Sequence, residues 1–327
     1  MKRLIRANKA LDEYKGITIY EDRGGCTYIY DKSGKRHDFT NDDEAYEWID
    51  DNLETIEAAE DDVEELGYAE ASKSKGFVIS GDTLIEYTGN AKDVIIPGNV
   101  KVIDSGAFAN SKTLESINLV GVETVKEQAF IGCASLKDVY GEDVVTIEAD
   151  AFTQCSSLIY VEFSDKLEYI GPSAFRDCES LPKFKIPDGV TKIESHTFSA
   201  CESLREIEIP DSVESIGVAA FSNCTSLQNV WIPDNVKQID KDAFTDCKKL
   251  YNIHLSQKLK ALKTGTFYNC RALERIDIPE SVEYIADRVF QDCYSLHTVA
   301  VKGNPKIATD ALGNSPAQIS TNSARRV

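Results

Sequence analysis

The sequence predicts an α/β repeat solenoid standing behind a small α+β domain. Three observations carry that expectation. A nine-residue phrase returns at a fixed interval, certain apolar positions keep their place in every interval, and neither feature occurs before residue 70 or so. The phrase is "DAFTDCKKL" at residues 242–250, with copies that include "QAFIGCASL", "DAFTQCSSL", "SAFRDCESL", "AAFSNCTSL" and "RVFQDCYSL". Its phenylalanines are Phe108, Phe130, Phe152, Phe175, Phe198, Phe221, Phe244, Phe267 and Phe290, always 22 or 23 residues apart. A constant period of that size is the mark of stacked coils, each one a supersecondary unit that buries its apolar face on the next.

The first 70 residues divide into strands and then a helix. "ITIY", "CTYIYD" and "KRHDFT" are strand-like, and "EDRGG" and "DKSG" between them are natural turns. A helix is expected from Asp42 to Leu66, with Asn41 as N-cap, Glu44 completing the capping box and Gly67 as the stop. Tyr46, Ile49, Leu53 and Ile56 would form its buried stripe. Residues 38–65 carry fourteen acidic side chains and no basic one, which reads either as a lure for a basic partner or as a solvated helix face. The organisation is therefore a β-β-β-α accessory domain over 1–70, the linker "ASKSKG" at 71–76, repeats over 77–316, and a tail at 317–327.

Within a coil the elements follow from the positions that do not vary. A leucine stands six residues after every phenylalanine, and nine residues after it comes Ile117, Val139, Val161, Phe184, Ile207, Val230, Ile253, Ile276 or Val299. Eleven residues after it the position is again apolar, with Gly141 the exception. Apolar residues alternating with variable ones describe a short strand with one buried face. "IPDGV", "IPDSV", "IPDNV" and "IPESV" then turn the chain, because proline fixes φ and donates nothing to a continuing ladder. A second extended piece of the form VxxI leads back to the phrase. Entropy forbids any one coil from folding by itself, so burial between neighbours has to supply the stability.

Three residues past each phenylalanine lies a cysteine, Cys133, Cys155, Cys178, Cys201, Cys224, Cys247, Cys270 or Cys293, with Ser111 in the first coil. Coils in register would place these about 4.8 Å apart, one inter-strand spacing. Parallel side chains at that spacing hold their sulfurs too far apart to bridge without rotation, so buried reduced thiols are favoured over disulfides. The spacing also has none of the CxxC pairing of zinc sites.

The sequence narrows the function by exclusion. With 327 residues and a formal charge of −19, the chain should be repelled by phosphate backbones and anionic membranes, so no nucleic-acid partner is expected. The start "MKRLIRANKALDEY" is basic but lacks the apolar stretch of a signal peptide, and no run is long enough to span a bilayer. Taken as written, the chain is expected to be cytoplasmic, without membrane insertion. No catalytic residue, metal ligand or cofactor-binding motif is assigned, and the protein is read as not an enzyme. Cys26 and His37 make a nucleophile and base only on paper, and His37, His196, His254 and His297 have no metal-ligand spacing.

Binding is what the variable positions offer. Eight and ten residues after each phenylalanine the strand should face outward, giving two columns: Ser116 and Asn118, Asp138 and Tyr140, Tyr160 and Glu162, Lys183 and Lys185, Glu206 and Glu208, Asn229 and Trp231, Asn252 and His254, Arg275 and Asp277. Trp231, His254 and the neighbouring Tyr251 would make an exposed aromatic group between acidic residues and Arg275, the chemistry of an interface hot spot. Aromatic residues also suit a strand surface with no partner at all, and that reading stays open. The candidate surface is Tyr140, Tyr160, Lys183, Lys185, Glu206, Glu208, Trp231, Tyr251, His254, Arg275 and Asp277.

The repeat in "SLREIEIPDSVESIGVAAFSNCTSLQNVWIPDNV" resembles the BspA-like class of leucine-rich repeats, and the match runs through most of residues 77–312. "GFVISGDTLIEYTGNAKDVIIPGNV" resembles that family's entry hairpin. In "IATDALGNSPAQIS" the spacing persists but Leu312, Ser315 and Gln318 replace Phe, Cys and Leu, as in a terminal cap. The resemblance implies a right-handed leucine-rich-repeat horseshoe with a parallel sheet on its concave side and 3₁₀ or helical turns around the Ala-Phe phrase. It further implies a scaffold that binds a protein ligand, with a bacterial surface or secreted adhesin as the alternative. The oligomeric state is left open.

Overall fold

The computed structural model describes residues 76–321 throughout and, ahead of them, the backbone of four strands at Lys9–Tyr14, Ile17–Glu21, Thr27–Tyr30 and Arg36–Phe39. These four pair antiparallel in chain order, three of them at the expected segments and Lys9–Tyr14 in addition. The expected helix from Asp42 to Leu66, Cys26, the linker up to residue 75 and the chain end from residue 322 lie outside the described residues.

Beyond an antiparallel hairpin at Phe77–Tyr87 the chain is a stack of coils whose strands form two rows of parallel pairs, each row divided into three sheets. The longer strands include Ser116–Asn118, Asp138–Gly141, Lys183–Lys185, Glu206–Glu208, Asn229–Trp231, Asn252–His254 and Arg275–Ile278. The others are two-residue strands such as Thr124–Val125, Ser215–Ile216 and Tyr284–Ile285, which are the expected VxxI pieces. Equivalent residues pair across coils, Val139 with Val161 and Ile276 with Val299, as a constant period requires. The ladder runs past residue 316 and closes with Gln318–Thr321 against Thr298–Val301.

Around the Ala-Phe phrase the expected 3₁₀ or helical turns are absent, and no helix occurs among the described residues. The reason is a left-handed residue on each side of every phenylalanine: Asp150 and Gln154 flank Phe152 at φ 55° and 62°, and His196 and Ala200 flank Phe198 at φ 59° and 59°. A right-handed helix cannot pass through two such residues four apart. The alternation of hand turns successive N–H groups toward the next coil instead. Gln128, Phe130 and Gly132 donate to the carbonyls of Ala149, Ala151 and Thr153 at 3.0, 2.8 and 2.8 Å. The phrase is thus a third hydrogen-bonded ladder, built from turns.

Inside it the phenylalanine rings form one column. Phe108 to Phe290 stack face to face with centroids 4.8 to 5.8 Å apart and ring planes within 16° of parallel. The hairpin of Phe77–Ser80 with Thr83–Tyr87 caps the column, setting the Tyr87 ring 4.9 Å from Phe108 while the Tyr87 N–H donates to the Ala107 carbonyl. Gly141, the one break in the apolar pattern, is occupied from the next coil: a Cβ there would come within 2.8 Å of the Phe163 ring.

All eight ladder cysteines are buried free thiols. Each donates its S–H to the phenylalanine carbonyl of the preceding coil at 3.0 to 3.3 Å, as Cys224 does to Phe198. That contact explains why cysteine recurs where alanine would fill less space and donate nothing. Burial pushes the Cys133 and Cys293 thiols up to about 12 and raises the other six as well. We therefore expect the eight to resist iodoacetamide at pH 8 in native protein and all nine cysteines of the chain to react once denatured, read by intact mass. Alkylation of Cys201 or Cys224 in the folded protein would refute this packing.

Candidate functional site

The site is built on five successive strands of the longer row, four of them in one sheet from Lys183–Lys185 to Asn252–His254 and the fifth, Arg275–Ile278, opening the next. In each the middle side chain turns inward: Phe184, Ile207, Val230, Ile253 and Ile276 are all buried. Strand pleating sends the two flanking residues to the opposite face. Lys183 stands opposite Glu206 and Lys185 opposite Glu208, then Asn229 opposite Asn252 and Trp231 opposite His254. Parallel in-register pairing is what brings an indole and an imidazole, 23 residues apart in sequence, onto one another.

The Trp231 and His254 rings stack at 3.8 Å with planes 9° apart. Trp231 nevertheless keeps 65% of its surface exposed, and Tyr251 beside it keeps 51%. The Asn229 amide donates to the Tyr251 hydroxyl at 2.6 Å, which fixes the phenol against the sheet. On the far side Arg275 donates through Nε to Asp277 Oδ1 at 2.9 Å. Together these groups line an open groove of about 690 Å³ with Glu206, Glu208, Asn252, Gln257, Glu274, Pro279 and Lys302.

Of the expected surface residues the groove gathers Glu206, Glu208, Trp231, Tyr251, His254, Arg275 and Asp277. Lys183 and Lys185 lie exposed on the next strand, outside its lining. The earlier strands differ from expectation. Tyr140 occupies its predicted register but is only 8% exposed, its ring 5.5 Å from that of Tyr160, which is itself half-buried. Ser116 and Asp138 on the same columns are buried too. Alternation predicts the direction of a side chain and says nothing of what lies over it, so Tyr140 leaves the exposed candidate surface. Glu274, Gln257 and Lys302 were missed because they fall outside the two columns. Glu274 had a signal all the same, since it occupies in its coil the position of Tyr251.

Among the described residues no group of three or more histidine, cysteine or acidic side chains is placed to hold a metal ion. No helix there is long and apolar enough to cross a membrane. The arrangement is one of contact groups: a stacked aromatic pair, amides, carboxylates and two cations around an open groove.

Comparison with known proteins adds a family. A model described as the BspA type leucine rich repeat region matches residues 80–205 and 191–317, in six copies. Among solved structures, a leucine-rich repeat protein from Bacteroides ovatus is similar at 25% identity and a TM-score of 0.63, over 75% of this chain and 65% of that one. This chain thus spans just under two thirds of that relative's length. A leucine rich cell surface protein from Faecalibacterium prausnitzii shares 26% identity over 76% of this chain and 93% of its own, with a TM-score of 0.43. The T. pallidum leucine rich repeat protein shares 29% over 69% and 89%, again at 0.43. No curated protein matches the chain.

Proposed function

The chain belongs to the BspA-type leucine-rich repeat family, and from that premise we propose that it is a non-enzymatic scaffold that binds a protein partner in the groove around Trp231 and His254. The observation that carries this reading is the exposed Trp231. An indole left 65% exposed while locked against an imidazole gives large, rigid contact area with little further entropy to lose. The variable outward positions stand on a frame whose inward positions hardly change, which is how repeat arrays present binding surfaces. A net charge of −19 favours a protein over a nucleic acid as the occupant.

The test is a variant carrying both Trp231→Ala and His254→Ala, compared with the parent against a partner captured on the parent chain. Loss of about 2 kcal/mol or more of binding, roughly thirtyfold in Kd, with unchanged melting, is expected. Equal affinity would remove the groove from consideration. Cell fractionation with protease shaving of intact cells then separates a cytoplasmic scaffold from a surface adhesin that uses the same face.

A further inference from the structure

Resting on that reading, we propose that the groove recognises its protein partner through an arginine side chain, whose guanidinium continues the ring stack on the free face of Trp231. The stack runs along the ladder, with His254 covering one face of the indole at 3.8 Å. The other face looks along the ladder toward the neighbouring strand, where Glu206 pairs with Asn229. Two residues along each of these parallel strands bring Glu208 beside Trp231, about one inter-strand spacing away. The next place in the stack is therefore bordered by the two exposed carboxylates of that strand.

Those carboxylates make no ion pair among the described residues, although Lys183 and Lys185 stand directly opposite them on the adjacent strand. Asp277, by contrast, is already engaged by Arg275. Around the whole groove four carboxylates, Glu206, Glu208, Glu274 and Asp277, outnumber the two cations Arg275 and Lys302. The complementary ligand is cationic at the Glu206 and Glu208 end and has a flat face to lay on an indole. A guanidinium meets both requirements, being planar, weakly hydrated and forked so that its edge donates to carboxylates while its face stacks. Lysine answers the charge but not the plane. A sugar ring answers the plane but not the charge.

The test uses the full chain with Trp48→Phe, so that Trp231 is its only indole and its fluorescence reports the slot. The probe is a short glycine-spaced peptide with two arginines, alongside copies carrying lysine or citrulline in their place. Saturable quenching by the arginine peptide is expected, roughly tenfold weaker with lysine and lost with citrulline. Glu208→Gln in the same background should weaken the arginine peptide roughly tenfold with unchanged melting. Equal binding of the lysine peptide, retained binding of the citrulline peptide, indifference to Glu208→Gln, or saturation by a neutral oligosaccharide with none by the arginine peptide would each overturn the inference. The scaffold reading is judged separately: loss of the captured partner in the Trp231 and His254 double variant, with no preference for arginine, would leave the groove in place and discard only the guanidinium.

Discussion

Replacing Phe198 with alanine is expected to destabilise the protein by roughly 3 to 5 kcal/mol, the range for deleting a fully buried aromatic ring. Phe198 is 0% exposed and lies between Phe175 and Phe221 at 5.7 and 5.5 Å, with the Phe184 ring edge-on at 4.7 Å. Neighbouring coils are tied by backbone ladders on either side of such a cavity, so it cannot collapse without breaking inter-coil hydrogen bonds. The damage should also spread, because the stability of a stack is a sum of coil and interface terms and this residue serves two interfaces. Phe290→Ala makes the comparison. It has the Phe267 ring on one side at 5.8 Å, whereas one period further on the chain offers no ring but Leu312, a partly buried side chain at the edge of the core, and it should cost less. Urea unfolding of the two variants beside the parent measures both losses. Equal midpoints for Phe198→Ala and the parent would contradict the ring column.

That column was legible because it needs only a period. Once the phenylalanines are aligned, the inward places six, nine and eleven residues on are assigned by counting, and the structure buries Leu204, Ile207 and their equivalents. The left-handed turns had a trace in seven of the nine coils: two residues past the phenylalanine stand Asn110, Gly132, Asp177, Asn223, Asp246, Asn269 and Asp292, the residue types that tolerate positive φ, with Gln154 and Ala200 the exceptions. The same types also end helices, and local sequence does not separate the two uses. Lys9–Tyr14 escaped for another reason. Its register shifts between Ala10 and Asp12, so "KALDEY" does not keep the alternation by which a strand is recognised.

The site was legible in part. Trp231 and His254 were placed together by counting alone, and their shared register is what the structure shows. Tyr140 has the same standing in the count as Trp231, yet one is 8% and the other 65% exposed. Cover over a sheet face comes from packing at long range, which a one-coil pattern does not encode. The groove lining beyond the two columns, Gln257 and Lys302 among it, likewise depends on where loops turn after the strand.

Raising the pH above 9 should destabilise the protein progressively, with the eight ladder thiols as a cause. A cysteine ordinarily titrates near 9.0, whereas burial holds Cys133 and Cys293 at about 12 and the six between them also raised. Below pH 9 both folded and unfolded chains keep these protons, and the thiols add no pH dependence. Above it the unfolded chain releases protons that the folded chain retains, so stability falls by about 1.4 kcal/mol per pH unit for each thiol until the folded value is reached. At pH 10 the two thiols held at about 12 have each cost on the order of 1 kcal/mol, and the six between them, raised by the same burial, add to the loss in the same direction, against a total stability that is itself small. Far-ultraviolet dichroism and thiolate absorbance, followed together against pH in the presence of a reductant, should change in one transition. Removing a single proton-retaining group with Cys201→Ala should lower the steepness by about one proton, even though the cavity shifts the midpoint. Thiolate absorbance rising near pH 9 while the dichroism stays native would mean that the sulfurs meet solvent in the folded coils, and the S–H to phenylalanine carbonyl ladder would have to be given up.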